Sequence, residues 1–177
     1  MTETVRGRVP AAEEEDRFWA LVEGAWATLG EEPAALRRAL LTRDPAGDAE
    51  NDLYAIDAWL NRFLERLSAA TAELTAAELV ALDRVVERKL YDIDRRDVHD
   101  VTDGSDDGFL YARGFIVALG RDYYETVQAD PAYAVPDAEL ERMCYFFAHQ
   151  HQDRFDAWPD TDSGISRETC SNPAGWA

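Results

Sequence analysis

Cations are scarce in this chain, and lysine is nearly absent: Lys89 is the single one, and every other basic residue is arginine. The 18 basic residues face 36 Asp and Glu, for a formal net charge of −18. Nucleic acid is excluded as a partner, because binding there runs on neutralising phosphates. An anionic membrane surface is disfavoured for the same reason. What remains is a basic protein or a cationic small molecule as partner, with no nucleic acid and no membrane.

Other absences narrow the field further. There are two cysteines, Cys144 and Cys170, with no CxxC pair and too few thiols for a disulfide framework. No apolar run approaches a membrane span, and no basic, apolar leader opens the chain. A cytoplasmic location is the expectation. No Gly-rich phosphate loop, GxSxG or HExxH occurs, so nucleotide binding by a familiar route is not expected, and neither is a cofactor. Hairpin signals are missing as well: there is no Asn-Gly, and no Asp-Gly sits between alternating apolar runs.

What is present is helical. The 177 residues, 46% apolar and 31% charged, suit one globular domain, long enough to bury roughly 70% of its unfolded surface. Phe18, Leu21, Val22, Ala25 and Leu29 follow the three-and-four spacing of a helix face. Acids at Glu13 to Asp16 suit its N-terminal dipole, and Gly30 is a stop signal. A second helix is predicted from Pro33, and a third on Leu53, Ile56, Leu60, Phe63, Leu64 and Leu67. Thr75-Ala76-Ala77-Glu78 has capping-box spacing ahead of Leu79, Leu82, Val86, Leu90 and Ile93. Further helices are predicted on Phe109, Ala112, Ile116 and Leu119, on Tyr123, Tyr124 and Val127, and from Pro136 through Trp158.

The pattern reads as an all-α single-domain irregular helical bundle of about six to seven helices. Residues 1–12 form a flexible N-terminus, 13–158 the helical domain, and 159–177 an irregular, loosely held tail on which Trp176 is positioned to dock. Asp44-Pro45-Ala46-Gly47-Asp48 is loop chemistry.

The densest chemistry lies in His99 to Phe109, where three readings stand side by side. Asp103, Ser105 and Asp107 alternate like the first half of a calcium loop, but its twelfth position is Gly114, which supplies no bidentate carboxylate. Metal is therefore not expected. Alternatively, Ser105 or Asp106 caps a helix, with further acids favoured by the dipole. As a third reading, the carboxylates with Arg113 and His99 form a binding site or an acid/base centre. The candidate binding residues are His99, Asp103, Ser105, Asp106, Asp107 and Arg113; catalytic residues are unknown. His149 and His151, two apart, point in different directions on a helix. His151 and Cys144 fall on an apolar face as core residues.

Two stretches carry a resemblance: Phe18-Trp19-Ala20-Leu21-Val22, and Ser105-Asp106-Asp107-Gly108-Phe109-Leu110-Tyr111-Ala112-Arg113-Gly114-Phe115-Ile116 with Gly120-Arg121 and Asp130-Pro131. They resemble a bacterial domain of unknown function, family 4240. The resemblance runs from about Asp16 to Phe155 and is strongest from Asp94 to Pro131; the tail after Pro159 lies outside it. It implies no activity or cofactor, but it singles out Ser105, Asp106, Asp107, Phe109, Arg113 and Gly120. The favoured function is a non-catalytic binding or regulatory module. The alternative is an enzyme with an acid/base site on Ser105-Asp106-Asp107 and Arg113.

Overall fold

In the computed structural model, residues 7–47, 53–102 and 104–177 are described. The expectations placed on residues 1–6, on Asp48 and on Asp103 lie outside them. Ten α-helices and one 3-10 turn occur among the described residues, with no strand. The helices are α1 (Ala12–Ala27), α2 (Glu31–Thr42), α3 (Asp57–Thr71), α4 (Ala76–Asp92), α5 (Arg96–Thr102), α6 (Asp106–Ala118), α7 (Arg121–Ala129), α8 (Glu141–Cys144), α9 (Phe146–Phe155) and α10 (Pro173–Trp176). The 3-10 turn covers Pro131–Tyr133.

The fold is all-α, but six to seven helices is too few: eight of the ten span seven residues or more. The excess has local causes. The helix predicted from Pro136 starts only at Glu141, because Asp137 adopts a left-handed backbone (φ 54°) and donates its N–H to the Thr102 carbonyl at 3.2 Å. It then breaks at Tyr145 (φ −129°, ψ 22°), where the Cys144 carbonyl accepts the Arg167 guanidinium at 2.6 Å. The polar stretch after Asp94 folds as α5, whose Thr102 hydroxyl bonds back to the Val98 carbonyl.

α6 is the central helix. Gly108, Phe109, Leu110 and every residue from Ala112 to Ala118 are buried, as expected of a helix apolar on all sides. It packs most extensively on α8, where Gly114 lets the backbones approach: a methyl group on Gly114 would lie 2.6 Å from both Cys144 Sγ and the Leu140 carbonyl oxygen. α1 packs on α3 and α4 on α9. Trp26 stacks on Phe63 at 4.5 Å and donates its indole N–H to the Ala118 carbonyl at 2.8 Å, so the α6 C-terminus is covered by an aromatic pair. The chain leaves α6 through Gly120, whose φ of 99° favours glycine. A side chain there would also collide with the Arg37–Glu23 pair.

α4 has an unusual distribution. Its apolar residues Leu79, Leu82, Val86 and Leu90 face the core, yet Asp83, Arg84 and Glu87 are buried too. The C-terminal segment lies over this polar face, and residues 7–8 lie over that segment, with the Arg8 N–H donating to the Asp162 carbonyl at 2.6 Å. The tail is thus irregular in shape but firmly docked, in contrast to the loose hold read from its composition.

Candidate functional site

Ser105 is the N-cap of α6: its side chain accepts the Gly108 N–H at 3.2 Å. Asp106 and Asp107 occupy the first turn with exposed side chains. Residues 106 to 114 are helical, so this stretch is not shaped as a calcium loop. Among the described residues no group of three or more His, Cys, Asp or Glu is arranged to hold a metal ion.

Arg113 faces the interior. It is fully buried, stacks on the Phe109 ring at 4.7 Å, and donates to the Leu90 carbonyl at 2.8 Å and the Thr169 hydroxyl at 3.3 Å. Among the described residues it has no ion-pair partner, and its Nε is without a hydrogen-bond acceptor. Burial lowers its pKa. The guanidinium therefore does not sit with the Asp106 and Asp107 carboxylates. The link between them is indirect: the Thr169 hydroxyl donates to the Asp106 backbone carbonyl at 2.6 Å.

His99 places Nε2 3.0 Å from the Gly104 carbonyl, a geometry in which Nε2 carries the proton. Its ring packs against Phe109 at 5.1 Å and Trp176 at 5.5 Å. His99 and Arg113 thus both pack on Phe109, while the Asp106 and Asp107 side chains are exposed. His151 is buried with Nδ1 2.5 Å from the Ala157 carbonyl, and burial pushes the Cys144 thiol up to about 12. Both are core groups.

Asp107 instead belongs to an acidic edge. Tyr111 feels partial burial together with the carboxylates of Glu141 and Asp107, all of which raise its pKa. Gly108 lies under Glu139, whose Oε1 would be 3.1 Å from a methyl group placed there. The edge leads into a groove of about 430 Å³ lined by Glu141, Arg142, Tyr145, Phe146, His149 and Asp153, among others.

A second charged constellation lies under the tail. Arg167 forms a two-point ion pair with Asp83, at 3.2 and 3.0 Å, and a further contact with Glu87 at 3.0 Å. Glu87 also accepts the hydroxyls of Thr161, at 2.7 Å, and of Ser163. Asp83 is 1% exposed, Arg167 6% and Glu87 8%. The guanidinium lies 4.9 Å from the centre of the Tyr145 ring. Burial opposes the charge on Arg167, and the two carboxylates overcome that and raise its pKa. A cavity of about 230 Å³ opens here between Tyr145 and the exposed Trp158.

Sequence reasoning missed this second group. A signal was present: Asp83 and Glu87 sit four apart, each directly after an apolar position of α4, Leu82 and Val86. Charges bordering an apolar stripe call for a partner. The partner lies 80 residues further along, beyond any local pattern.

A family model described as "Protein of unknown function (DUF4240)" matches residues 54–154, more than half of the chain. The match covers the Ser105–Ile116 block and leaves out the Phe18-Trp19 helix. No curated protein and no solved structure matches the chain.

Proposed function

The chain belongs to the DUF4240 family, and we propose that it is a non-catalytic binding or regulatory module whose partner is a basic protein or a cationic ligand. One observation carries this reading: most of the cations are engaged within the molecule, only Arg62, Arg66 and Arg142 being exposed with neither an ion pair nor a hydrogen bond among the described residues, whereas a larger number of exposed acids is left over. Arg17 pairs with Glu78 at 2.7 Å, Arg37 with Glu23 at 2.7 Å, Arg84 with Glu14 at 3.1 Å, Lys89 with Glu15 at 2.8 Å and Arg121 with Asp16 at 3.2 Å. Arg43 is spent on the carbonyls of residues 132 to 134. By contrast Asp106, Asp107, Asp122, Asp153, Asp156 and Asp160 are exposed and unpaired among the described residues. A surface left with one sign of charge attracts the other sign and accelerates encounter with it.

The acidic edge of Asp106, Asp107, Glu139 and Glu141 beside the Tyr145–His149 groove is the proposed contact surface. Fluorescence anisotropy of a labelled arginine-rich peptide tests it. Saturable binding that weakens with added salt, and that weakens again in the quadruple variant Asp106→Asn, Asp107→Asn, Glu139→Gln, Glu141→Gln, is the expected result. Binding indifferent to salt and to the variant overturns the reading.

A further inference from the structure

We infer that Asp83, Glu87 and Tyr145 form an arginine-recognition pocket, that the C-terminal segment around Arg167 is its resident occupant, and that an arginine on an extended basic segment of a partner can take its place. The inference rests on the reading above and names the chemistry of the partner.

The pocket has the parts that guanidinium recognition requires. Asp83 takes two N–H groups of Arg167 in the fork geometry that a planar guanidinium offers and an ammonium does not. Glu87 takes a third contact and the Cys144 carbonyl, where α8 and α9 part, a fourth. The Tyr145 ring supplies an aromatic face. All of these groups come from residues within 54–154, the part of the chain that the family model matches, whereas Arg167 lies outside it.

The occupant is held as a bound peptide is held. Residues 159 to 168 have no helix or strand of their own. They lie on the α4 face through backbone and side-chain hydrogen bonds, among them the Thr161 carbonyl with Arg84 Nε at 2.7 Å. The opening between Tyr145 and Trp158 gives solvent a way to the pocket.

Charge favours exchange. The resident segment carries Asp160, Asp162 and Glu168 against a single arginine, and it sits on a chain of net charge −18. A basic segment presenting one arginine at the same place keeps the pocket contacts and replaces three repelled carboxylates by attracted cations. The resident segment has the advantage of being tethered, at high effective concentration. A partner must therefore be basic beyond its one arginine.

Hydrogen exchange on the full-length protein tests this. Two extended lysine-rich peptides are used, identical except that one central residue is arginine or citrulline. The arginine peptide is expected to speed amide exchange across residues 161–168, and the citrulline peptide to leave it unchanged. Equal effects of the two peptides, or none, overturn the inference. A second measurement addresses the pocket alone. Arg167→Ala is expected to lower Tm by roughly 10 °C, since it strands two buried carboxylates. Millimolar ethylguanidinium, which replaces the missing atoms, is expected to restore most of the loss, and ethylammonium at equal concentration is not. Equal action of the two cations overturns guanidinium recognition. Failure of the outer acidic edge is read separately, from the quadruple variant, which leaves Asp83, Glu87 and Tyr145 intact.

Discussion

The Asp94 carboxylate receives the Trp176 indole N–H at 2.9 Å. The same side chain, fully buried, also accepts the backbone N–H groups of Cys170, Ser171 and Asn172 at 3.1, 2.7 and 2.9 Å. One acid at the end of α4 thus organises the last turn of the tail, much as Asp83 and Glu87 organise its middle.

Asp94→Asn places an amide NH₂ where only acceptors fit. Hydrogen bonds to a charged group contribute about 1.5–3 kcal/mol each, and some of the four must fail. A loss of about 3 kcal/mol in urea unfolding is expected, with faster amide exchange at residues 170–172. A loss without faster exchange there would place the damage elsewhere than the tail.

Ser105 and Asp106 separate capping from surface charge. Ser105→Ala removes the Gly108 N–H acceptor and is expected to cost about 1 kcal/mol. Asp106→Asn removes only a favourable charge near the helix N-terminus, a matter of a few tenths of a kcal/mol. Chemical denaturation of the two variants in parallel checks the order; the reverse order would make Asp106 the residue that holds the helix start.

Gly114 is required by the close approach of α6 and α8. Gly114→Ala drives a methyl group into Cys144 Sγ and the Leu140 carbonyl, an overpacking expected to cost about 2 kcal/mol. An unchanged denaturation midpoint would mean that the four-residue helix α8 moves aside freely.

Glu78 gives a pH prediction. Its carboxylate accepts the Thr75 N–H at 2.7 Å, the Arg17 guanidinium at 2.7 Å and the Thr75 hydroxyl at 2.8 Å. These contacts lower its pKa from the usual 4.5 to about 2. The folded state therefore favours the ionised form, and the stabilisation is complete above 4.5. It drains away as pH falls from 4.5 towards 2, because the unfolded chain takes up the proton first. Thermal melts across that window should show a decline that is shallower in Glu78→Gln; identical slopes would exclude Glu78 as a source of it.

Local signals were legible where the cause is local. The Thr75–Glu78 capping box forms as its spacing requires, with reciprocal bonds in both directions. Phe18, Val22, Ala25 and Trp26 line the buried face of α1. Ser105 caps α6, and Gly120 ends that run with a positive φ. Of the residues singled out by family resemblance, Phe109, Arg113 and Gly120 fill buried or sterically demanding positions, and Asp106 and Asp107 face solvent. The candidate cluster was misleading at Arg113. A position four residues after Phe109 places the side chain on the inner face, but nothing local tells that its acceptors are the Leu90 carbonyl and Thr169 rather than a neighbouring aspartate.

By itself the sequence determined an all-α chain, the caps of α4 and α6 and the Gly120 end of α6, the apolar faces that make the core, and an excess of acid, because each is written in composition or in residues within one or two turns of each other. Only the tertiary structure decided that the final helix divides at Tyr145, that the polar tail is bound, and that Asp83, Glu87 and Arg167 share one buried site. Those outcomes depend on pairs from 23 to 84 residues apart. A carboxylate four positions from another on a helix looks the same in sequence whether water or a distant guanidinium solvates it, and only the folded chain supplies the guanidinium.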